Sequence, residues 1–368
     1  MTAFPKPDRE WVKRAILVLR RDLTRSADTH LIKVEIPEAP GVDLYLKDES
    51  IHPSGSLKHR LARSLFLHAL CDGRIGESTL IVEASSGSTA ISEAFFARLL
   101  GLRFIAVVPE STAPAKLTAI ASMGGRVETV SDGVDVVAAA RSLASTERGC
   151  FLDQFANAER VTDWRGNNNI AETLFAQMRD ETFPVPAWVV VGAGTGGTSA
   201  TIGRYIRYRP DLASVRLCVV DPEGSAFFES YKHNDAGVCG RCSTIVEGIG
   251  RPRVEASFVP SLVDRMYSVP DAASVAAMQW LERRTGRRFG PSTGTNIIGA
   301  LALARELVGK GQPGSIVTLA CDPGERYSDT VYDPCWLSQR GLRADPWLER
   351  IAAFDAAFDT ALVSAERC

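Results

Sequence analysis

The chain has 368 residues, 45% of them apolar and 23% charged, with 44 acidic against 42 basic side chains and a net charge of −2. That length exceeds one ordinary hydrophobic core and predicts two domains, while the near-neutral balance argues against nucleic acid or an anionic membrane as the main partner. No apolar run approaches the roughly 20 residues a bilayer requires.

The opening stretch "MTAFPKPDREWVKRAILVLRRD" carries charges where a signal peptide needs an uninterrupted apolar core, so a cytoplasmic protein is expected. Eight cysteines suit a reduced protein of this size. Next, "VDLYLKD" (42–48) reads as a short buried strand. In "SGSLKHRLARSLFLHAL", Leu57, Leu61, Leu65 and Ala69 recur at a four-residue step, predicting a helix with one buried face. Ser54, Gly55 and Ser56 can cap its free N–H groups. Lys58 falls in the first turn, where positive charge is disfavoured by roughly 0.3–1 kcal/mol. A lone lysine there can snorkel into water, but a lysine wanted as a neutral amine is a nucleophile.

Strand and helix signals then alternate. "STLIVEAS" (78–85) runs into the helical "GSTAISEAFFARLLG". After it come "RFIAVVP", the helical "APAKLTAIASMG", "RVETV" and a helix around "GVDVVAAARSLAS". A proline-bearing linker is expected at 180–187. Beyond it, "AWVVVGAGTGG" is a strand entering a glycine loop, followed by the helical "TSATIGRYIRYR" and the strand "VRLCVVDP". After a loop-rich section (223–257), "SVAAMQWLERRTG", "NIIGALALARELVG" and "SIVTLACDPG" repeat the pattern. Such alternation predicts an α/β chain of two doubly wound, mostly parallel sheets. The expected domains are an N-terminal one over 41–180 and a larger C-terminal one built from 1–40 and 181–368.

Three strand-to-helix turns carry chemistry. "GAGTGGT" (192–198) offers bare N–H groups at a positive helix end, a phosphate site. It also satisfies GxGxxG, but the next strand-end acid, Asp221, lies farther on than the ~20 residues a dinucleotide ribose contact needs. "EASSGSTA" (83–90) supplies the hydroxyls of Ser85, Ser86 and Thr89 beside Gly87, which suits a carboxylate or an ordinary helix cap. "FGPSTGTN" (289–296) places the neutral hydroxyl of Ser292 ahead of an apolar helix. Cys239 and Cys242, with His233 upstream, could form a metal or redox pair; with no second CxxC, a plain loop is expected and no metal is assigned.

A lysine at a helix start, a phosphate cradle, a carboxylate cradle and a lone serine are the parts a pyridoxal phosphate enzyme acting on an amino acid requires. The chain resembles the cysteine synthase family of pyridoxal phosphate enzymes, of fold type II (tryptophan synthase β-like). "LKDESIHPSGSLKHR" resembles that family's cofactor-lysine motif, with Lys47, Glu49, Pro53, Ser56, Lys58 and Arg60 in step. The resemblance makes Lys58 the catalytic residue. It implies cofactor contacts from Ser88, from Gly194, Thr195, Gly196, Gly197 and Thr198 at the phosphate, and from Ser292 at the pyridine nitrogen. Ser85, Ser86, Gly87, Thr89 and Gln154 (of "DQFAN") become the substrate-binding set, and "EGIGR" (247–251) a cofactor-facing loop.

There are departures. His52 and His59 stand where synthases have asparagine and aspartate, Ser88 replaces an asparagine, and "SADTH" (26–30) replaces a glycine-asparagine-threonine-proline strand opening. The two histidines can serve proton transfer near a leaving thiol or be structural. "DLYLKDES", "EASSGSTA", "DWRGNNNIAE" and "GPSTGTN" are closer to the family's bacterial cysteine desulfhydrase branch. The expected enzyme is therefore a cytoplasmic, homodimeric L-cysteine desulfhydrase, releasing hydrogen sulfide, pyruvate and ammonia from a small amino acid. The alternative is cysteine synthase or a related β-replacement on O-acetylserine. An NAD-dependent dehydrogenase rests only on GAGTGG, and a non-catalytic binding protein on no specific feature.

Overall fold

The computed structural model describes residues 7–25, 28–241, 244–354, 358 and 361–366. In chain order the elements are α1 (Arg9–Arg25), β1 (His30–Val34), β2 (Val42–Asp48), α2 (Lys58–Cys71), β3 (Ile81–Ala84) and α3 (Ser88–Leu99). Then come β4 (Phe104–Pro109), α4 (Pro114–Ser122), β5 (Arg126–Val130), α5 (Val136–Thr146), β6 (Cys150–Phe151) and α6 (Gln154–Asn157). The next set is α7 (Ile170–Met178), β7 (Trp188–Gly192), α8 (Gly197–Tyr208), β8 (Arg216–Pro222) and α9 (Ala226–His233). The last are β9 (Arg265–Val269), α10 (Asp271–Thr285), α11 (Pro291–Gly309), β10 (Gly314–Ala320), α12 (Pro334–Gln339), α13 (Asp345–Ala353) and β11 (Val363–Glu366).

They form two compact units. Unit 1 is Met1–Asp28 with His52–Thr162, and unit 2 is Thr29–Ile51 with Asp163–Cys368. The boundaries expected at 40, 41, 180 and 181 differ from these. Residues 42–48 belong to unit 2 because β2 is hydrogen-bonded into its sheet between β1 and β10. The N-terminal helix belongs to unit 1 because Trp11, Ala15 and Leu19 of α1 are buried among Leu65, Phe66 and Ala69 of α2. The 180–187 segment is not a boundary: Phe183 lies within unit 2, where its carbonyl accepts the Ser315 hydroxyl.

Unit 1 is a parallel sheet in the order β5-β4-β3-β6. Alternate strand residues face opposite ways, so Ile81, Phe104 and Ala106 pack under α1–α4 while Val82, Ala84 and Val107 pack under Ala140 and Ala144 of α5. In α2 the fully buried stripe runs through Ala62, Leu65, Phe66, Ala69 and Leu70. Leu57 and Leu61, expected on the inner face, are only half-buried.

Unit 2 is a sheet in the order β1-β2-β10-β7-β8-β9-β11, parallel except at its edges, where β1 and β11 run antiparallel to β2 and β9. Leu44, Val190, Val220 and Ile316 meet Ile297, Leu301 and Ala304 of α11 and Ala273 and Ala277 of α10. The other face takes α8, where Gly203 leaves room for the Leu217 side chain of β8. Both sheets present the C-terminal ends of their parallel strands to the turns that carry the candidate residues, the end at which open α/β sheets bind ligands.

Candidate active site

In unit 1, Lys58 is half-buried and is the first residue of α2. No acid stands in that first turn. Ser56 caps it in the expected way, its Oγ accepting the Lys58 N–H at 3.3 Å. The other expected cap, Ser54, is used differently. It is fully buried, and its hydroxyl joins His59 Nδ1 at 3.0 Å and Ser92 Oγ of α3 at 2.8 Å.

His59 completes that chain. Its Nε2 lies 3.3 Å from Asp22 Oδ2 of α1, and its ring stacks on His52 at 4.9 Å and tilts against Phe96 at 4.7 Å. Burial lowers its pKa to about 4 despite the Asp22 contact, so the ring is neutral at physiological pH. With 0% exposure and both nitrogens engaged, His59 is a structural post linking α1, α2 and α3.

The loop between β3 and α3 holds Ser85, Ser86 and Gly87, all half-buried, and Ser88 opens the helix. Gly87 occupies the N-cap, no side chain caps α3, and the Gly87 N–H is turned onto Ser85 Oγ at 3.2 Å. An uncapped helix end flanked by hydroxyls is a seat for a carboxylate. Thr89, 3% exposed, donates its hydroxyl to Gln154 Oε1 at 2.6 Å, so the structure brings these two expected substrate residues into contact. Gln154 begins α6, and the preceding Asp153, in left-handed backbone, caps that short helix at Ala156 N.

Sequence reasoning missed Glu83. Its Oε1 accepts the Ala84 N–H at 2.8 Å and its Oε2 the Gln154 N–H at 3.1 Å, tying the loop's first residue to the start of α6. The signal was present: an acid inside the apolar run "LIVEA" of a buried parallel strand must find partners.

In unit 2, β7 runs through Ala193, Gly194 and Thr195 into α8, with Gly196 at the N-cap and Gly197 and Thr198 in the first turn. Gly196 has φ +91°, and a Cβ there would lie 2.4 Å from Phe258 Cα. A Cβ on Gly194 would lie 2.1 Å from the Gly248 carbonyl oxygen. The "EGIGR" loop thus packs directly on the glycine loop, with Gly250 N–H donating to Ala193 O at 2.9 Å. Thr195 Oγ1 accepts the Gly197 N–H at 3.2 Å, and no acid stands in the first turn of α8. The positive end of this twelve-residue helix, with no acid in its first turn, fits a phosphate dianion. The ribose acid of the dinucleotide reading is spent elsewhere: Asp221 is fully buried and its Oδ2 accepts Phe228 N–H at 2.8 Å.

Ser292, 4% exposed, lies in the first turn of α11. The hydroxyls on either side of that turn serve the fold: Thr293 Oγ1 accepts Cys321 N–H at 3.0 Å, and Thr295 donates to Pro291 O at 3.1 Å. Ser292 is thus the residue of "PSTGT" suited to a ligand, and a neutral hydroxyl fits an unprotonated pyridine nitrogen. His233 pairs with Glu229 at 3.1 Å, Cys239 is exposed, and Cys242 lies outside the described residues.

Comparison with known proteins agrees with this chemistry. Residues 24–322 match the family described as pyridoxal-phosphate dependent enzyme. The chain is 57% identical over 338 residues, 91% of each chain, to the L-cysteine desulfhydrase Cds1 of Mycobacterium tuberculosis. It is 28% identical over 343 residues to cysteine synthase 2 of Schizosaccharomyces pombe, covering 86% of this chain and 84% of the relative. Among solved structures, a hydrogen sulfide-producing enzyme from Fusobacterium nucleatum superposes with a TM-score of 0.72 at 24% identity, covering 84% of this chain and 97% of the other, a likeness of fold.

Proposed function

The chain belongs to the pyridoxal-phosphate dependent enzyme family, and from that premise we propose that it is an L-cysteine desulfhydrase, converting cysteine and water to hydrogen sulfide, pyruvate and ammonia. The observation that carries the reading is the 57% identity, over 91% of both chains, with a relative of that name.

Pyridoxal phosphate, when bound, supplies an electron sink for the pair left at the substrate α-carbon. The chain's own residues do the rest. Lys58 would hold the cofactor through its amine, and the same amine, when free, would take the substrate α-proton. Gly194, Thr195, Gly196, Gly197 and Thr198 hold the phosphate on the positive end of α8. Ser292 donates to the pyridine nitrogen without giving up its proton, which moderates the sink and favours loss of the β-thiol over deeper carbanion chemistry. Ser85, Ser86 and Gly87 receive the substrate carboxylate, joined by Thr89 and Gln154, with the Thr89 hydroxyl held on Gln154 and its backbone N–H left for the substrate. Ser88 takes a place beside the cofactor where synthases carry an asparagine amide. The loss of that donor loosens the product-side complex and favours release over capture by a second nucleophile. His59 is not assigned proton transfer, since its ring is buried and both nitrogens are engaged. The enzyme is read as a cytoplasmic homodimer; the described cysteines, all free thiols, suit a reducing compartment.

The test is product analysis with cysteine alone and then with O-acetylserine plus sulfide. Equal amounts of sulfide, pyruvate and ammonia over many turnovers support the reading. Negligible pyruvate with a dominant β-replacement product makes the protein a synthase.

A further inference from the structure

Two glutamates lie beneath the loop at 85–88, Glu83 on β3 and Glu93 on α3, each with 0% exposure. Glu83 is well supplied, with one N–H on each oxygen. Glu93 is not: neither of its oxygens has a hydrogen-bond partner among the described residues. A buried carboxylate without donors is not a stable arrangement. The group set against it is the Glu83 carboxyl, and two bare carboxylates can only accept. Their contact becomes a hydrogen bond when one keeps its proton. Glu83 already receives two N–H donors, so Glu93 is the neutral partner and Glu83 the anion. Burial raises both, Glu93 well above the ordinary carboxyl range and Glu83 to about 7; the Glu83 charge adds to the rise at Glu93, whereas the two N–H donors and the contact with Glu93 hold Glu83 down.

The pair closes a ring of contacts. Glu83 holds Gln154 by its backbone, Gln154 accepts the Thr89 hydroxyl, and Glu93 lies one turn beyond Thr89 on the same helix. The loop at 85–88 spans this ring. Of the other groups facing it, Asp153, paired with Arg141 at 3.2 Å, adds to the rise at Glu83, and the Cys150 thiol is pushed up to about 11 and receives Arg74 Nη1 at 3.8 Å.

We propose that Glu83 and Glu93 are positioning residues, a one-proton carboxyl pair that fixes the geometry of the 85–89 loop and sets how strongly it binds the substrate carboxylate. The inference rests on the reading that this loop receives that carboxylate. Loss of the pair's proton puts a second negative charge beneath the seat and withdraws the donor that holds Glu83. Binding therefore weakens on the alkaline side while the chemical step is little changed.

The experiment uses the holoenzyme, measuring kcat and KM for L-cysteine from about pH 6 to about pH 9, with difference infrared spectroscopy of the carboxyl region. In the wild type, KM rises toward alkaline pH, and a neutral buried carboxylic acid band is present at neutral pH. Glu93→Gln can still donate to Glu83 but cannot titrate. It keeps KM within about twofold at neutral pH, loses the alkaline rise and loses the infrared band. Glu93→Leu removes the donor and raises KM about tenfold, with kcat within about threefold. An unaltered KM–pH profile in Glu93→Gln, or an infrared band that survives it, overturns the proposal. Ser86→Ala, at a half-buried loop hydroxyl outside the ring, separates the two readings. If it leaves KM unchanged, the loop is not the carboxylate seat; if it raises KM while both Glu93 variants match wild type, only the carboxyl pair falls.

Discussion

Lys58 and His59 are adjacent in the chain and do opposite work, and their variants separate chemistry from architecture. Lys58 has a half-buried side chain at a helix start, whereas His59 fills a fully buried slot between α1, α2 and α3. Lys58→Ala is expected to melt near the wild type yet lose turnover by about three orders of magnitude or more, because cofactor exchange and the general base go together. Borohydride reduction of the wild type, followed by peptide mass spectrometry, should place the pyridoxyl group on Lys58; a label elsewhere rejects that assignment. His59→Ala shows the reverse pattern. It leaves Asp22 and Ser54 facing a cavity and costs about 3 kcal/mol in denaturant unfolding, while the cofactor linkage persists. The candidate residues legible in the sequence sit at strand-to-helix turns, where glycine and hydroxyls stand out against apolar surroundings. Glu83 left a trace, an acid inside the apolar run "LIVEA", but Glu93 was not legible, because one acid in "ISEAFF" looks like the polar position of an amphipathic helix. Only their fully buried neighbours reveal that neither meets water.

At the scale of elements, the entry to α8 is the sharpest case of backbone deciding chemistry. Gly196 needs a left-handed φ and has no room for a Cβ against Phe258. Gly196→Asp adds bulk and a carboxylate at the positive helix end. The variant is expected to purify colourless and to regain little absorbance on cofactor titration, with far-UV circular dichroism that still reports a folded α/β protein. Retention of the cofactor at wild-type affinity would reduce the loop to a turn. Strands read correctly from sequence, such as β4 and β7, are central and apolar on both faces, the signature of a parallel sheet. The strands that went unread are β1, β6 and β11, all at sheet edges and β6 only two residues long, and β9, which holds Arg265, whose guanidinium lies over the Trp188 ring. Their identity comes from pairing partners far away in sequence, which local periodicity does not encode.

For the molecule as a whole, unit 1 titrates in two opposed senses. His59 is held below its ordinary 6.5, so its contribution to stability is present above that value and is lost as pH falls through about 4. Glu83 and Glu93 are raised above their ordinary 4.5, so their contribution is full below that value and is lost as pH rises through about 7 and beyond. Between about pH 4.5 and 6.5 the two trends offset each other, and above neutrality only the acids act. Calorimetric melting should therefore show a decline on the alkaline side that is shallower in Glu93→Gln; parallel profiles for variant and wild type refute the assignment. The order of the two units along the chain has a further consequence, for synthesis. Unit 1's sheet draws its strands from one continuous stretch, residues 81–151. Unit 2 places β2 between β1 and β10, and β10 begins only at Gly314. On the ribosome the sheet of unit 1 can therefore close while β2, already made, still lacks its neighbour. That nascent β1–β2 hairpin presents an open apolar edge until residues 314–320 have been made, which makes it the segment most in need of a chaperone's protection.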